Sequence, residues 1–169
     1  FPVAVWSWNA MIAAVCGNVS IWKPSEKAPL SAVACFKLMN RVFAKHQLPE
    51  GIMSLIVGDV KEVGEPMTED PRVSLISATG STAMGKKVAT TVAKRLGKSI
   101  LELGGNNAII LTPNANLKLA LPAIVFGAVG TAGQRCTTTR RVIIHDSIYA
   151  RVKESLVAAY KNLKIGNPL

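Results

Sequence analysis

The sequence predicts an α/β fold with a Rossmann-like, largely parallel sheet. Three observations carry this. Short apolar runs rich in Val, Ile and Leu alternate with stretches of helical periodicity from one end to the other. The runs are apolar throughout rather than at every second residue, as strands covered on both faces require. Gly and Pro fall between the two kinds of segment and nowhere form a long linker.

The elements follow in order. Residues 19–23 (VSIWK) read as a strand closed by Pro24, and residues 29–45 as a helix with Pro29 in its first turn. Residues 52–57 (IMSLIV) form a second strand ending at Gly58, and residues 60–68 a helix of modest quality. Residues 73–77 give a third strand, and residues 82–96 a helix stopped by Gly97. Residues 100–103 and 108–111 read as strands four and five. Residues 117–129 and 147–163 read as helices around a strand at 141–145. No internal repeat or low-complexity tract interrupts this pattern.

Composition excludes several classes. The chain has 169 residues, 49% hydrophobic and 18% charged, which is globular and large enough for one domain, or one and a piece of another. The opening run FPVAVWSWNAMIAAVC lacks a basic flank and is too short to span a bilayer, so no membrane role is expected. Cys16, Cys35 and Cys136 are odd in number and without a CxxC pair. That argues against a disulfide scaffold and fits a reducing compartment, the cytoplasm or, in a eukaryote, the mitochondrial matrix. His46 and His145 lie far apart, and no metal site is expected. The absence of an initiator Met and the abrupt NPL ending read as a segment of something longer.

The net charge of +10 raises the question of nucleic acid. Residues 1–85 hold seven basic and seven acidic side chains, and residues 86–169 hold thirteen and three. The excess therefore belongs to the second half. Its only aromatics are Phe126, Tyr149 and Tyr160, a poor basis for a nucleic-acid-binding module.

In parallel sheets, ligands gather at the carboxyl ends of strands beside helix N-termini. The loops at 23–26, 58–64, 79–85 and 102–105 are there, each rich in Gly, Ser, Thr or charge, and together they read as a nucleotide site. The run ATGSTAMGKK at 78–87 approaches a P-loop, but Lys87 stands where a Ser or Thr must hold magnesium. Phosphate binding by Gly80 and Ser81 at a helix start and an ordinary capped helix both remain open. Gly58 and Gly64 suit either a cofactor approach or a tight connection.

Cys16 and Cys35 sit in apolar helical surroundings, where a thiol is packing. Cys136 lies in GTAGQRCTTTRR, a polar loop with Arg135, Arg140 and Arg141 close by. It has the setting of a nucleophile, or of a plain surface thiol. Glu102 stands inside the apolar strand ILELGG. Burial there would require pairing or neutralisation and would raise its pKa toward that of a general base, with a simple salt bridge as the alternative.

Asn9, the turn at 23–26, TGS at 79–81, ELGG at 102–105 and GQRC at 133–136 occur in one order, with Glu102 and Cys136 separated by 34 residues. In this combination the chain resembles the aldehyde dehydrogenase superfamily over essentially all its length. ELGGNNAII and GTAGQRCTTTRR look like its antiquitin branch, the α-aminoadipic semialdehyde dehydrogenases. Four residues depart from the common pattern: Ala78 stands before TGS in place of Phe, Ala10-Met11 follows Asn9 in place of Phe-Pro, and Glu26 is unusual for that branch.

The resemblance implies NAD-dependent oxidation of a small aldehyde, with an amino-acid semialdehyde as the expected substrate. Cys136 would be the nucleophile, Asn9 and the Cys136 backbone N–H the oxyanion donors, and Glu102 the base that activates hydrolytic water. Trp8, Lys23, Ser25, Glu26, Gly58, Gly64, Gly80, Ser81, Leu103 and Gly104 would face NAD, with Glu26 favouring it over NADP. Arg135 and Thr137 would address the substrate. Residues 1–103 would be most of the cofactor domain and 104–169 the opening of the catalytic domain. The expected full-length form is a dimer or tetramer, and the isolated 169-residue chain is expected to be inactive.

Overall fold

The computed structural model describes residues 1–167 and divides the chain into two compact units, Phe1–Glu102 and Leu103–Leu169. The first unit opens with helix α1 (Ala4–Val15), whose apolar surface runs nearly all the way round. The Trp6 ring on this helix stacks on Trp22 of strand β1 (Ser20–Trp22), with centroids 3.7 Å apart and planes within 6°. Helix α2 (Pro29–Lys45) follows, with proline in its first turn, where a missing N–H costs nothing. Strand β2 (Met53–Leu55) then pairs in parallel with β1, Trp22 opposite Leu55.

The helix expected over 60–68 is broken in two, a π-helical turn at Val60–Gly64 and the short α3 (Glu65–Glu69). Pro66 explains the break: its ring excludes an ordinary hydrogen bond to the preceding turn. The Asp59 carboxylate starts the turn by accepting from the Glu62 N–H at 2.7 Å. Strand β3 (Leu75–Thr79) pairs in parallel with β4 (Lys98–Glu102), and α4 (Thr82–Lys94) connects them. Both strands are displaced from the expected runs. The Val73 N–H is held in a turn by Asp70 O at 3.1 Å, so pairing begins later on that side. Arg95 Nε donates to Thr68 O at 2.8 Å and Lys87 pairs with Glu65, tying α4 to α3.

The second unit contains β5 (Asn107–Leu111), α5 (Leu117–Val129), β6 (Thr139–Ile144) and α6 (Asp146–Lys161), with the strands parallel. Its core is Leu111, Ile124, Ile148 and Val152, with Ile109, Val142 and Ile144 packed from the strands. Asn116 caps α5 by accepting from the Lys118 N–H, and His145 Nδ1 caps α6 by accepting from the Ser147 N–H. The parallel α/β character expected from the sequence is therefore present. The strands form three two-stranded ladders among the described residues, however, rather than one continuous sheet. No helix among those residues is long and apolar enough to cross a membrane.

Ile124 is fully enclosed and Val157 is exposed on the same unit. Ile124→Ala is expected to cost about 2–4 kcal/mol by loss of contacts and cavity formation. Hydrogen exchange of the α6 amides should accelerate accordingly, whereas Val157→Ala should change stability by less than about 0.5 kcal/mol.

Candidate functional site

The first unit gathers its candidate residues in two places. At the ends of β1 and β2, Lys23 Nζ lies 3.5 Å from Glu26 Oε2, and a Cβ built on Gly64 would stand 3.9 Å from Lys23 Cε. Parallel pairing of β1 with β2 is what brings these loops together. A backbone hydrogen bond and the Lys23 charge hold the Glu26 carboxyl below its ordinary pKa. Ser25 Oγ accepts from the Lys27 N–H at 3.3 Å and shapes the same turn. Gly58 packs on Val63 within its own loop, where a Cβ would collide with the valine methyl at 2.3 Å.

At the ends of β3 and β4, the Gly80 N–H donates to Glu102 O at 3.0 Å. Ser81 is the N-cap of α4, its Oγ accepting from the Met84 N–H at 3.1 Å. The Gly80 amide is thus committed to Glu102, contrary to its expected role as an anion donor. The amides of Thr82 and Ala83, which have no acceptor within the helix, are the groups an anion would meet. Both lie in the run at 78–87, whose helix start marks its backbone N–H groups as anion donors without distinguishing one residue from the next.

Glu102 is exposed, with no hydrogen bond or ion pair at its carboxylate among the described residues, which corrects the expectation of burial in an apolar strand. Four of the five residues of β4 are exposed, so its apolar sequence is not covered here. Trp8 is exposed on α1, and the half-buried Asn9 donates from Nδ2 to Val5 O at 3.1 Å, one turn back. Cys16 is exposed at the end of α1 and Cys35 is half-buried, so neither is the enclosed packing thiol expected. The apolar neighbours of Cys16 in sequence lie on a helix whose surface is largely open.

In the second unit, Leu103 is half-buried and Gly104 stands in open space. Cys136 is exposed, with exposed Thr137 beside it, in the turn Arg135–Thr138. The turn is closed twice: the Thr138 N–H donates to Arg135 O at 3.2 Å, and the Arg135 N–H donates to Thr138 Oγ1 at 3.0 Å. Thr138 is buried and supplies the polar pin. Because the peptide is trans, an Arg135 carbonyl turned into the loop sends the Cys136 N–H outward. That N–H has no acceptor among the described residues. The chain enters this turn through three consecutive left-handed residues, Thr131, Ala132 and Gly133, at φ 53°, 54° and 67°. For Thr131 and Ala132 this is a costly conformation.

The three arginines near Cys136 in sequence are occupied by other groups. The Arg135 guanidinium lies 5.3 Å from the Phe126 ring centroid and bonds Thr131 Oγ1 through Nε. Arg140 donates to Gly133 O, and Arg141 to Asn106 O at 2.8 Å. A shallow depression of about 410 Å³ bounded by Asn116, Lys118, Arg151 and Ser155 also lies in this unit, but its lining includes none of the candidate residues.

Residues 1–169 match the aldehyde dehydrogenase family throughout. The chain belongs to that family. It is 49% identical over 169 residues to aldehyde dehydrogenase family 7 member B4 of Arabidopsis thaliana, covering 100% of this chain and 33% of the relative. It is also 49% identical over 168 residues to mouse α-aminoadipic semialdehyde dehydrogenase, covering 99% of this chain and 31% of the relative. The chain thus spans about a third of the length of the curated relatives it matches.

Among solved structures it resembles an Escherichia coli enzyme described as NADP-dependent, at 33% identity and TM-score 0.92, over 99% of this chain and 34% of the other. It also resembles a Staphylococcus aureus betaine aldehyde dehydrogenase solved with NAD+ and a BME-modified cysteine. There the identity is 34% and the TM-score 0.81, over 88% of this chain and 29% of the other.

Lys23→Met should raise the Glu26 pKa part of the way to its ordinary value, because the backbone hydrogen bond remains. Carboxyl-carbon NMR titration measures this, and an unchanged midpoint would deny the influence of Lys23.

Proposed function

We propose that the natural polypeptide carrying this chain is an NAD-dependent aldehyde dehydrogenase of the antiquitin type, oxidising an amino-acid semialdehyde through a covalent intermediate on Cys136. The observation that supports this most is an exposed thiol whose own backbone N–H points out of a doubly closed turn and has no acceptor among the described residues. A nucleophile and an oxyanion donor on one residue are what acyl-type chemistry requires.

The Cys136 thiolate attacks the aldehyde carbon, forming a C–S bond and a tetrahedral oxyanion. The Cys136 N–H and the side-chain amide of Asn9 stabilise that oxygen; Asn9 Nδ2 carries a second hydrogen beyond the one donated to Val5 O. Nicotinamide, when bound, supplies the hydride acceptor for the oxidation. Glu102 then takes a proton from water, which attacks the resulting thioester and releases the carboxylate with the Cys136 thiolate as leaving group. The exposure of the Glu102 carboxylate favours access to water. Arg135 would turn its guanidinium, and Thr137 its hydroxyl, toward the polar end of the substrate.

The donor set fits such a cofactor. Glu26 offers carboxylate acceptors to ribose hydroxyls, Lys23 a cation beside them, and the first turn of α4 free amides to a phosphate. Trp8, Ser25, Gly58, Gly64, Gly80, Ser81, Leu103 and Gly104 complete the proposed surface. The compared enzymes differ between NAD and NADP, and the ionised Glu26, which would repel a 2′-phosphate, favours NAD. The P-loop reading has less support, since Lys87 offers no hydroxyl for magnesium and Gly85 already lies inside helix α4. A homo-oligomer of the natural polypeptide belongs to the same proposal.

In that polypeptide Cys136→Ala should abolish turnover while leaving the NAD dissociation constant within about threefold, by fluorescence titration. Glu102→Gln should preserve a stoichiometric burst of NADH yet slow the steady state by about 100-fold or more. Glu26→Gln should narrow the preference for NAD over NADP in kcat/KM. Undiminished turnover in Cys136→Ala would end this reading.

A further inference from the structure

The side chain of Asn107 reaches from the first residue of β5 to the loop that carries Cys136. Its Nδ2 donates to Cys136 O at 2.6 Å and to Thr138 O at 3.1 Å, spending both amide hydrogens on the two carbonyls that bracket Thr137. The main-chain ladder is irregular at this point: Asn107 stands opposite Thr139 and Ala108 opposite Arg141, leaving Arg140 as the extra residue of a bulge. A bulge bends its strand and re-aims what precedes it. The asparagine amide therefore holds the loop where main-chain pairing stops. Gly105 leaves the room, for a Cβ there would lie 2.8 Å from Asn107 Oδ1.

We propose that Asn107 is a positioning residue for the nucleophile, acting through the backbone of Cys136; this rests on Cys136 being the nucleophile. The Thr138 N–H fixes the peptide that enters Cys136, Thr138 Oγ1 holds the Arg135 N–H of the peptide before it, and Asn107 fixes the peptide that leaves Cys136. With both peptides held, the direction of the Cys136 N–H and the origin of its side chain are set before substrate arrives. A preorganised donor acts without reorganisation in the reaction, and a displacement near 1 Å can cost about 100-fold in rate. Aspartate has nearly the same shape but, ionised, only accepts, so Asn107→Asp turns two attractions into two repulsions at constant volume.

The test uses the natural polypeptide and single-turnover NADH formation, whose amplitude counts competent sites and whose rate reports chemistry at each. Asn107→Asp should lower the burst rate by about 10–100-fold, with the KM for NAD within about twofold. Asn107→Gln, which keeps both donors on a longer arm, should recover part of that rate. It also serves where the aspartate variant fails to fold. A lower amplitude at unchanged rate, in either variant, would mark Asn107 as merely structural and overturn the inference. So would an unchanged rate and amplitude in both. Cys136→Ala, run in parallel, separates the two claims. Activity surviving that substitution removes the nucleophile itself, whereas activity lost there but kept in Asn107→Asp removes only the positioning role.

Discussion

Parallel strand pairing is the constraint on which the rest depends. Two parallel strands end at the same edge, so whatever loop follows one must lie beside whatever follows the other. In the first unit this places Lys23 and Glu26 beside Gly64, and Gly80 beside Glu102. The second unit uses the other edge. Cys136 precedes β6 and Asn107 begins β5, so the thiol lies at the amino ends of the pair, and the carboxyl ends lead to Thr112 and the α6 cap at His145. The two units thus employ opposite ends of the same architectural device.

The Cys136 loop is held against a conformational cost. Left-handed backbone at Thr131 and Ala132 is unfavourable for residues with a Cβ, of order 1–3 kcal/mol each. Its setting offers compensation within a few residues: Thr131 Oγ1 accepts from Arg135, whose guanidinium lies over Phe126, and Arg140 reaches back to Gly133 O. The adjoining turn is then closed by Thr138 and anchored by Asn107. A loop so densely bonded to itself keeps its shape although Cys136 remains exposed. Exposure of a side chain and rigidity of its backbone are separate properties, and a nucleophile needs both.

Much of the fold was legible because alternating apolar runs and helical periodicity depend on short-range pattern. Helix α2 begins and ends where the sequence places it, and α5 does as well. Helix α1 is legible only as apolar helical surroundings of Cys16, without bounds, since a segment apolar on nearly every side carries no periodicity to read. Pro66 marks the break between the π-helical turn and α3, but a proline near a helix start is equally compatible with one continuous helix. The exposure of Glu102 and Cys16 could not be read at all, because burial depends on what packs against a strand or helix and not on its own composition. Cys136 lies at the amino ends of β5 and β6, away from the carboxyl-terminal loops, so only its neighbours in sequence single it out. Asn107 gave only a weak signal, a polar residue opening an apolar strand after two glycines.

The charge of the second half ends with a different meaning from the one its arithmetic suggested. An electrostatic footprint for a polyanion needs cations free to meet phosphates. Around Cys136, Arg140 and Arg141 instead donate to the carbonyls of Gly133 and Asn106, and Arg135 is held by a hydroxyl and a ring. A guanidinium suits that task because its five donors remain charged and point in fixed directions, so it can clasp a carbonyl without a carboxylate partner. Arg140 and Arg141 are exposed, yet each also clasps a carbonyl beside the Cys136 loop and so helps that loop keep its shape. Three of the thirteen cations of this half thus have a structural task that a net charge does not reveal.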